Sequence, residues 1–268
     1  MHALGDVTGR RLVVTGGGGG LGSAVAAELC RLGARVLVCG RTRATLDAVV
    51  EAVTAEAGDG RCAAAVCDVR EAGQVEAMLD AAEEALGGVD GLVNNASGLF
   101  PVRAERLTSN GFRSVVDIVL QGTWHCTSAL ARRWIDRGAT GAVVNVLTPY
   151  AWTGAPGIVH TASAKGGVLT MTRTLGAEWG RFGIRVNAVA PGWMRVGGTL
   201  DLLTDAERER RLLETIPLGR WLRAEETARA IAYLLSDDAS YITGTCLCID
   251  GGQHLSAGLQ DINLTSNV

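Results

Sequence analysis

Lysine is nearly missing from this chain: Lys165 stands alone beside twenty-four arginines in 268 residues. Near-total use of Arg for Lys, with abundant alanine and 36 glycines, indicates a compositional bias across the whole gene. A lysine that survives that bias is the first candidate for a chemical role. An excess of one charge sign is also lacking. A formal charge of −3, a pI near 5.8 and no run of like charge give no broad attraction for nucleic acid or anionic lipid. No apolar run approaches the ~20 residues needed to span a bilayer. The opening MHALGDVTGRR has no apolar h-region, so a cytoplasmic protein is expected. Paired C-x-x-C ligand spacing is absent too. The seven cysteines, Cys30, Cys39, Cys62, Cys67, Cys126, Cys246 and Cys248, are odd in number and sit mostly in apolar runs. Buried reduced thiols are expected, and no metal is indicated. Cys246 and Cys248, two apart, should share one face of a strand.

What is present is ample material for a core: 47% hydrophobic and 20% charged residues. Short β-branched runs alternate with longer amphipathic ones, the pattern of a parallel sheet covered by helices on both faces. Strands are expected at 11–15, 35–39, 62–67, 90–94, 141–147, 184–190 and 245–249. Helices are expected at 21–32, 43–56, 71–87, 109–137, 158–181 and 225–236. With no linker, repeat or break, residues 1–268 read as a single α/β domain, a Rossmann-type, doubly wound parallel sheet of seven strands. Ligands of such sheets bind beyond the carboxyl ends of the strands. The stretch 193–224, with its charged DAERERRLLE, is therefore a candidate lid over a substrate, or a solvated amphipathic helix.

Five consecutive glycines, Gly16–Gly20, follow the strand RLVVT and precede the helix LGSAVAAELCRLG. A glycine run at a strand-to-helix turn lets backbone approach a ligand closely. A dinucleotide pyrophosphate at the helix N-terminus suits that turn, through Thr15, Gly16, Gly20 and Gly22. After the second strand comes Cys39-Gly40-Arg41-Thr42-Arg43. A carboxylate there would hold ribose hydroxyls; two guanidiniums instead suit a 2′-phosphate, so NADP(H) is expected. Arg43 could instead belong only to the next helix. Asp68 should sit beside the adenine, and Asn94-Asn95-Ala96 should flank its ribose.

Together the glycine turn, C-D-V at 67–69, N-N-A at 94–96, RVNAVAPG at 185–192 and DGG at 250–252 resemble the short-chain dehydrogenase/reductase family along nearly the whole chain. By that resemblance Leu21, Val69, Pro191, Gly192 and Met194 join the cofactor contacts, and helices 109–137 and 158–181 pack between subunits of a homotetramer. The family's usual catalytic set is Ser, then Tyr thirteen residues on, then Lys four beyond. Counted back from Lys165, those places hold Thr148 and Thr161. The 2,4-dienoyl-CoA reductases also lack that Tyr and carry one fifteen residues before the Lys, where this chain has Tyr150. TGGGGGLG, AERLTSNGF, DIVLQGT, SAKGGV, AEWGRFGIRVN and IPLGR are likewise similar to that subgroup. Two positions depart: Leu99 stands where the subgroup has an Asn that helps hold the thioester oxygen, and Val196 where the family commonly has a Thr touching the nicotinamide amide.

These residues imply a reductase acting on a small molecule. Lys165 would hold the nicotinamide ribose and lower the pKa of neighbouring acids by its charge. Tyr150, with an ordinary pKa of about 10, can be tuned into a donor where the alcohol of Thr161 cannot. For a conjugated thioester, charge develops on the carbonyl oxygen and calls for donors aimed at it, Tyr150 and Thr148. A simple ketone with Tyr150 as acid is the alternative, and a non-catalytic nucleotide-binding scaffold a third. Leu99, Phe100, Trp152 and Trp193 are candidate substrate contacts; both tryptophans lie near the substrate mouth by order along the chain, with core packing as their alternative role. His160 is a further acid candidate, or a surface or capping residue at a helix start. His125 reads as packing.

Overall fold

The computed structural model describes residues 4–196 and 205–255. Seven parallel strands form one sheet: β1 (Arg11–Thr15), β2 (Arg35–Gly40), β3 (Cys62–Val66), β4 (Gly91–Asn94), β5 (Gly141–Val146), β6 (Ile184–Pro191) and β7 (Cys246–Ile249), in the order β3-β2-β1-β4-β5-β6-β7. Each expected strand exists within a residue or two. All seven lie parallel because the connections between them are crossovers carrying helices. The order reverses between β1 and β4, which opens a crevice at their carboxyl ends.

Alternation along each strand divides the apolar residues between two faces. Leu12 and Val14 join α1 (Gly20–Arg31), α2 (Arg43–Ala57) and α9 (Ala224–Leu235) in one core. Val13, Leu37, Leu92 and Val143 join α3 (Ala72–Leu86) and α5 (Gly122–Asp136) in the other. A third cluster links α4 (Ser109–Val116) and α7 (Val159–Glu178) to the far end of the sheet through Val115, Leu147, Ala164, Val168 and Ala190. Cys246 and Cys248 both pack on this third cluster, one face of β7 as expected. Both are only half-buried, unlike the other five free thiols, which corrects the expectation of uniform burial.

The single helix expected over 109–137 is interrupted by a π-helical turn at Asp117–Gln121. Beyond it Gly122 passes so close to Val69 that a Cβ would stand 2.5 Å from Val69 Cγ2. Between the helical layers a buried polar line crosses the sheet. Asn94 donates to Thr127 at 2.8 Å and to Asn145 at 2.9 Å, and Asn145 donates to Thr172 at 2.9 Å. Asn94 and Asn145 are register partners of β4 and β5, so the line fixes that register where a one-residue slip would bury these amides without partners.

The ends of the 193–224 segment are tied together. Met194 and Leu222 form a parallel bridge, and Leu222 N donates to Trp193 O at 3.0 Å. Within it lies α8 (Ala206–Glu214), whose Glu209 accepts from Trp221 Nε1 at 2.8 Å and pairs with Arg195. Residues 197–204 of the expected lid lie outside the described residues.

Leu92 is fully buried on central strand β4. Leu92→Ala should cost about 2–5 kcal/mol, read as a lower denaturation midpoint at fixed protein concentration. A loss below about 1 kcal/mol would show that this face is not close-packed.

Candidate active site

The glycine turn fits a dinucleotide phosphate. Gly16 and Gly20 have φ of +63° and +57°, and a Cβ on Gly22 would lie 2.2 Å from Gly16 O. Gly19 and Gly20 instead face open space at the start of α1. That N-terminus has no side-chain cap and no acid in its first turn, which leaves its N–H groups and positive dipole end for an anion. Leu21 is buried behind the turn. The turn is braced from β4: Asn95 N and Ala96 N both donate to Thr15 Oγ1 at 3.0 Å, and Asn95 Nδ2 reaches the carbonyls of Thr15 and Gly16 at 3.1 Å.

Beyond the turn a cavity is lined by Gly16, Gly40, Arg41, Asp68, Val69 and Ala96, with Ser97 and Ile118, which the sequence did not single out. Asp68 sits in this cavity, its carboxylate held below the ordinary range chiefly by its hydrogen bond from Arg70. Val69 is positioned by His125, whose Nδ1 donates to Val69 O at 3.0 Å; the packing role expected of His125 includes this bond. Arg41 and Arg43 part company. Arg41 lines the cavity, whereas Arg43 pairs with Asp47 at 2.8 Å along α2 and is not among the lining residues. Asn94 faces the buried polar line rather than this cavity.

The second cavity, about 150 Å³, lies beyond the ends of β5 and β6. Leu99, Thr148, Tyr150, Thr161, Pro191, Gly192, Trp193 and Met194 line it, together with Pro149, Ile158 and Gln253, for which no motif gave a signal. Tyr150 opens a short helix, α6 (Tyr150–Thr153), that the sequence reading missed. Its backbone N donates to Thr148 Oγ1 at 3.1 Å, and its hydroxyl accepts from Trp193 Nε1 at 3.1 Å. The phenolic proton therefore stays available for an acceptor in the cavity. Burial pushes the Tyr150 pKa up, against a smaller lowering by Trp193, so the phenol stays protonated at neutral pH. Thr161 donates to Gly98 O at 3.4 Å.

One turn beyond Thr161, Lys165 is 4% exposed, and its Nζ donates to Val146 O at 2.5 Å. No hydrogen bond joins Lys165 to Tyr150 among the described residues. An ammonium carries three donors, so two remain beyond this bond among the described residues. Burial lowers the Lys165 pKa to about 8.

Phe100 is partly exposed, and its ring meets His160 with centroids 4.4 Å apart. His160 is fully buried, which overturns its reading as a surface residue, and burial lowers its pKa. Trp152 stands 41% exposed, edge-on to His254 at 5.6 Å, and does not line the cavity. Val196 packs against the α1/α9 core.

A glycine-rich turn at the start of α1 and a crevice at the strand-order reversal are the features of a nucleotide-binding doubly wound fold. Residues 16–254 match the family model described as Enoyl-(Acyl carrier protein) reductase, and the chain belongs to the short-chain dehydrogenase/reductase family, whose members bind a nicotinamide cofactor. It is 43% identical over 249 residues to a probable 2,4-dienoyl-CoA reductase of Bacillus subtilis, covering 92% of this chain and 97% of that protein. It is also 36% identical to a 2,5-dichloro-2,5-cyclohexadiene-1,4-diol dehydrogenase of Sphingobium indicum, covering 93% and 98%. Among solved structures, a short chain dehydrogenase from Bacillus anthracis matches with a TM-score of 0.84 and 40% identity over 94% of this chain and 98% of that one.

The buried amine has a consequence for stability. In the unfolded chain a lysine titrates near ~10.4, and in the folded chain at about 8. Between those values the unfolded state binds more protons, so this group's contribution to stability rises with pH. Below pH 8 the buried charge is destabilising. Wild type minus Lys165→Met, compared by denaturation of cofactor-free protein at pH 7 and pH 10, should gain about 2–3 kcal/mol. A flat difference would show that the amine is solvated.

Proposed function

We propose that this protein is an NADPH-dependent reductase of a conjugated C=C in an enoyl- or dienoyl-thioester. One observation carries the reading: the Tyr150 hydroxyl, braced by Trp193, and Thr148 face one cavity, while position 161 holds only an alcohol. NADPH, when bound, supplies hydride from the nicotinamide to the far carbon of the C=C. Tyr150 then donates a hydrogen bond to the carbonyl oxygen as negative charge develops there, with Thr148 beside it. Lys165 would hold the ribose through its two remaining donors, and Pro191, Gly192 and Met194, which line the same cavity, would flank the nicotinamide. The preference for NADPH is supported by Arg41 at the edge of the adenosine cavity and by the absence of an acid at the end of β2. The lid expected over 193–224 is supported at its described ends, where Met194 bridges Leu222 and Trp193 and Met194 line the cavity.

Leu99 favours a second reading. It lines the cavity at the position where dienoyl-CoA reductases carry an Asn donor, so a simple ketone that needs only Tyr150 also fits. Oxidation of NADPH followed with crotonyl-CoA, a dienoyl-CoA and cyclic ketones separates the two. Tyr150→Phe should lower kcat by about 10²–10³ with NADPH affinity unchanged. Arg41→Ala should weaken NADPH and leave NADH unaffected. Unchanged turnover in the first variant, or unchanged NADPH affinity in the second, removes that residue from its role. No turnover with any substrate, despite tight NADPH binding, would instead favour a scaffold.

A homotetramer built on α4, α5 and α7 is supported by Phe112, Trp124 and Val159, large apolar side chains left 38–44% exposed on those helices. Sedimentation should give four chains per particle. A monomer at micromolar concentration would sink this assembly.

A further inference from the structure

The turn after β7 brings together three side chains that the proposed chemistry does not use. Cys248 lies on β7, Asp250 follows it, and His254 lies on the short turn Gln253–Leu255. Cys248 Sγ is 3.3 Å from His254 Nδ1, and the same Nδ1 is 2.7 Å from Asp250 Oδ2. All three ligand atoms lie within 4.8 Å of one another.

A nucleophile–imidazole–acid relay would use both ring nitrogens, one toward each partner. Here a single nitrogen meets both, so the three atoms converge on a point rather than forming a chain. Tetrahedral zinc, with Zn–S of ~2.3 Å and Zn–N and Zn–O of ~2.0–2.1 Å, sets S and N about 3.5 Å apart and N and O about 3.3 Å apart. The observed sulfur–nitrogen spacing is within a few tenths of an ångström of that. The nitrogen–oxygen spacing must open by about 0.6 Å as an ion replaces the hydrogen bond.

The cluster is held in place. Asp250 is 6% exposed, and its carboxylate accepts from Gly252 N at 3.0 Å and from His254 N at 2.8 Å. Such bonds orient a ligand before an ion arrives. Gly251 and Gly252, with φ of +64° and +86°, let the chain double back and bring residue 254 to residue 248. The edge of Trp152 stands against the His254 ring.

We propose that Cys248, Asp250 and His254 bind one borderline-soft divalent transition-metal ion, with zinc as the reference case, through Sγ, Oδ2 and Nδ1, with no fourth protein ligand among the described residues. A sulfur–nitrogen–oxygen donor set selects such ions over magnesium or calcium, which take oxygen ligands. As the sulfur–metal bond forms the S–H bond breaks and the Cys248 proton passes to solvent, with no change of oxidation state. The ion fixes the turn that carries Gln253 into the Tyr150 cavity. The inference is independent of the proposed substrate and cofactor preference.

The test uses the full chain, stripped with a chelator, dialysed and titrated with cobalt(II) alone. One cobalt per chain should bind, with the visible absorption of a tetrahedral ion and a near-ultraviolet thiolate-to-cobalt band, both bleached by zinc. Cys248→Ser should abolish the thiolate band, and His254→Ala should weaken cobalt binding roughly tenfold or more. Cys246→Ser should leave both signals intact. Circular dichroism of each variant verifies folding. Failure of the wild type to bind cobalt, or a thiolate band that persists in Cys248→Ser, would overturn the proposal.

Discussion

The site depends on holding one positive charge where water cannot reach it. Lys165 lies on α7 with its stem in the third core cluster's neighbourhood and its amine against the last carbonyl of β5, that of Val146. Removing an ammonium from water costs several kcal/mol unless donors are matched, and one carbonyl matches only a third of them. The helix–sheet packing sustains this deficit through Ala164 and Val168, both nearly inaccessible, on either side of the lysine. The tie also sets the first turn of α7 against the end of β5, and thereby brings Thr161 to the same cavity as Thr148 and Tyr150. In the proposed reading a cofactor's ribose hydroxyls would relieve this deficit, which would couple affinity to fold stability at this residue.

The sheet was legible in the sequence because its five inner strands are buried on both faces and read as compact apolar runs bounded by turns, while the edge strands β3 and β7 are partly exposed. Leu12 to Val14 and Val143 to Val144 are of that kind. The helices were legible where one stripe is apolar, as Val75, Met78, Leu79 and Ala82 are on α3. The π turn at 117–121 carries no such mark, since its five residues have ordinary helical composition and only the ladder of hydrogen bonds differs. The four-residue α6 was missed for a related reason: it is too short to show a period.

Site residues divide along the same line. Those set by backbone geometry, such as Gly16, Gly22 and Thr15, could be named from spacing, because the turn that needs them is local. Those set by side-chain direction could not. Arg41 and Arg43 are equivalent on paper, yet the helix start places Asp47 one turn from Arg43 and captures it, leaving Arg41 at the cavity. Trp152 and Trp193 also look alike by position, but only Trp193 follows the end of β6 directly into the cavity; Trp152 turns with α6 toward His254. His160 is a polar residue that is buried, its ring against Phe100, far away in sequence.

The protonation state of Tyr150 bears on which proposed reaction it suits. Its hydroxyl accepts from Trp193 and has no bond to the Lys165 ammonium among the described residues, while burial raises its pKa. In the family's usual arrangement, as implied by resemblance, a lysine four residues beyond the tyrosine makes it a stronger acid. Displacement by eleven residues removes that sequence relation, and here burial raises the pKa of the phenol above its ordinary value. A carbonyl reduced to an alcohol must receive a whole proton on oxygen. A thioester enolate needs only a hydrogen bond there, because the proton is finally taken by carbon and can come from water. A phenol that holds its proton firmly is matched to the second demand, and this favours the conjugated C=C over the ketone even with Leu99 in place of a donor.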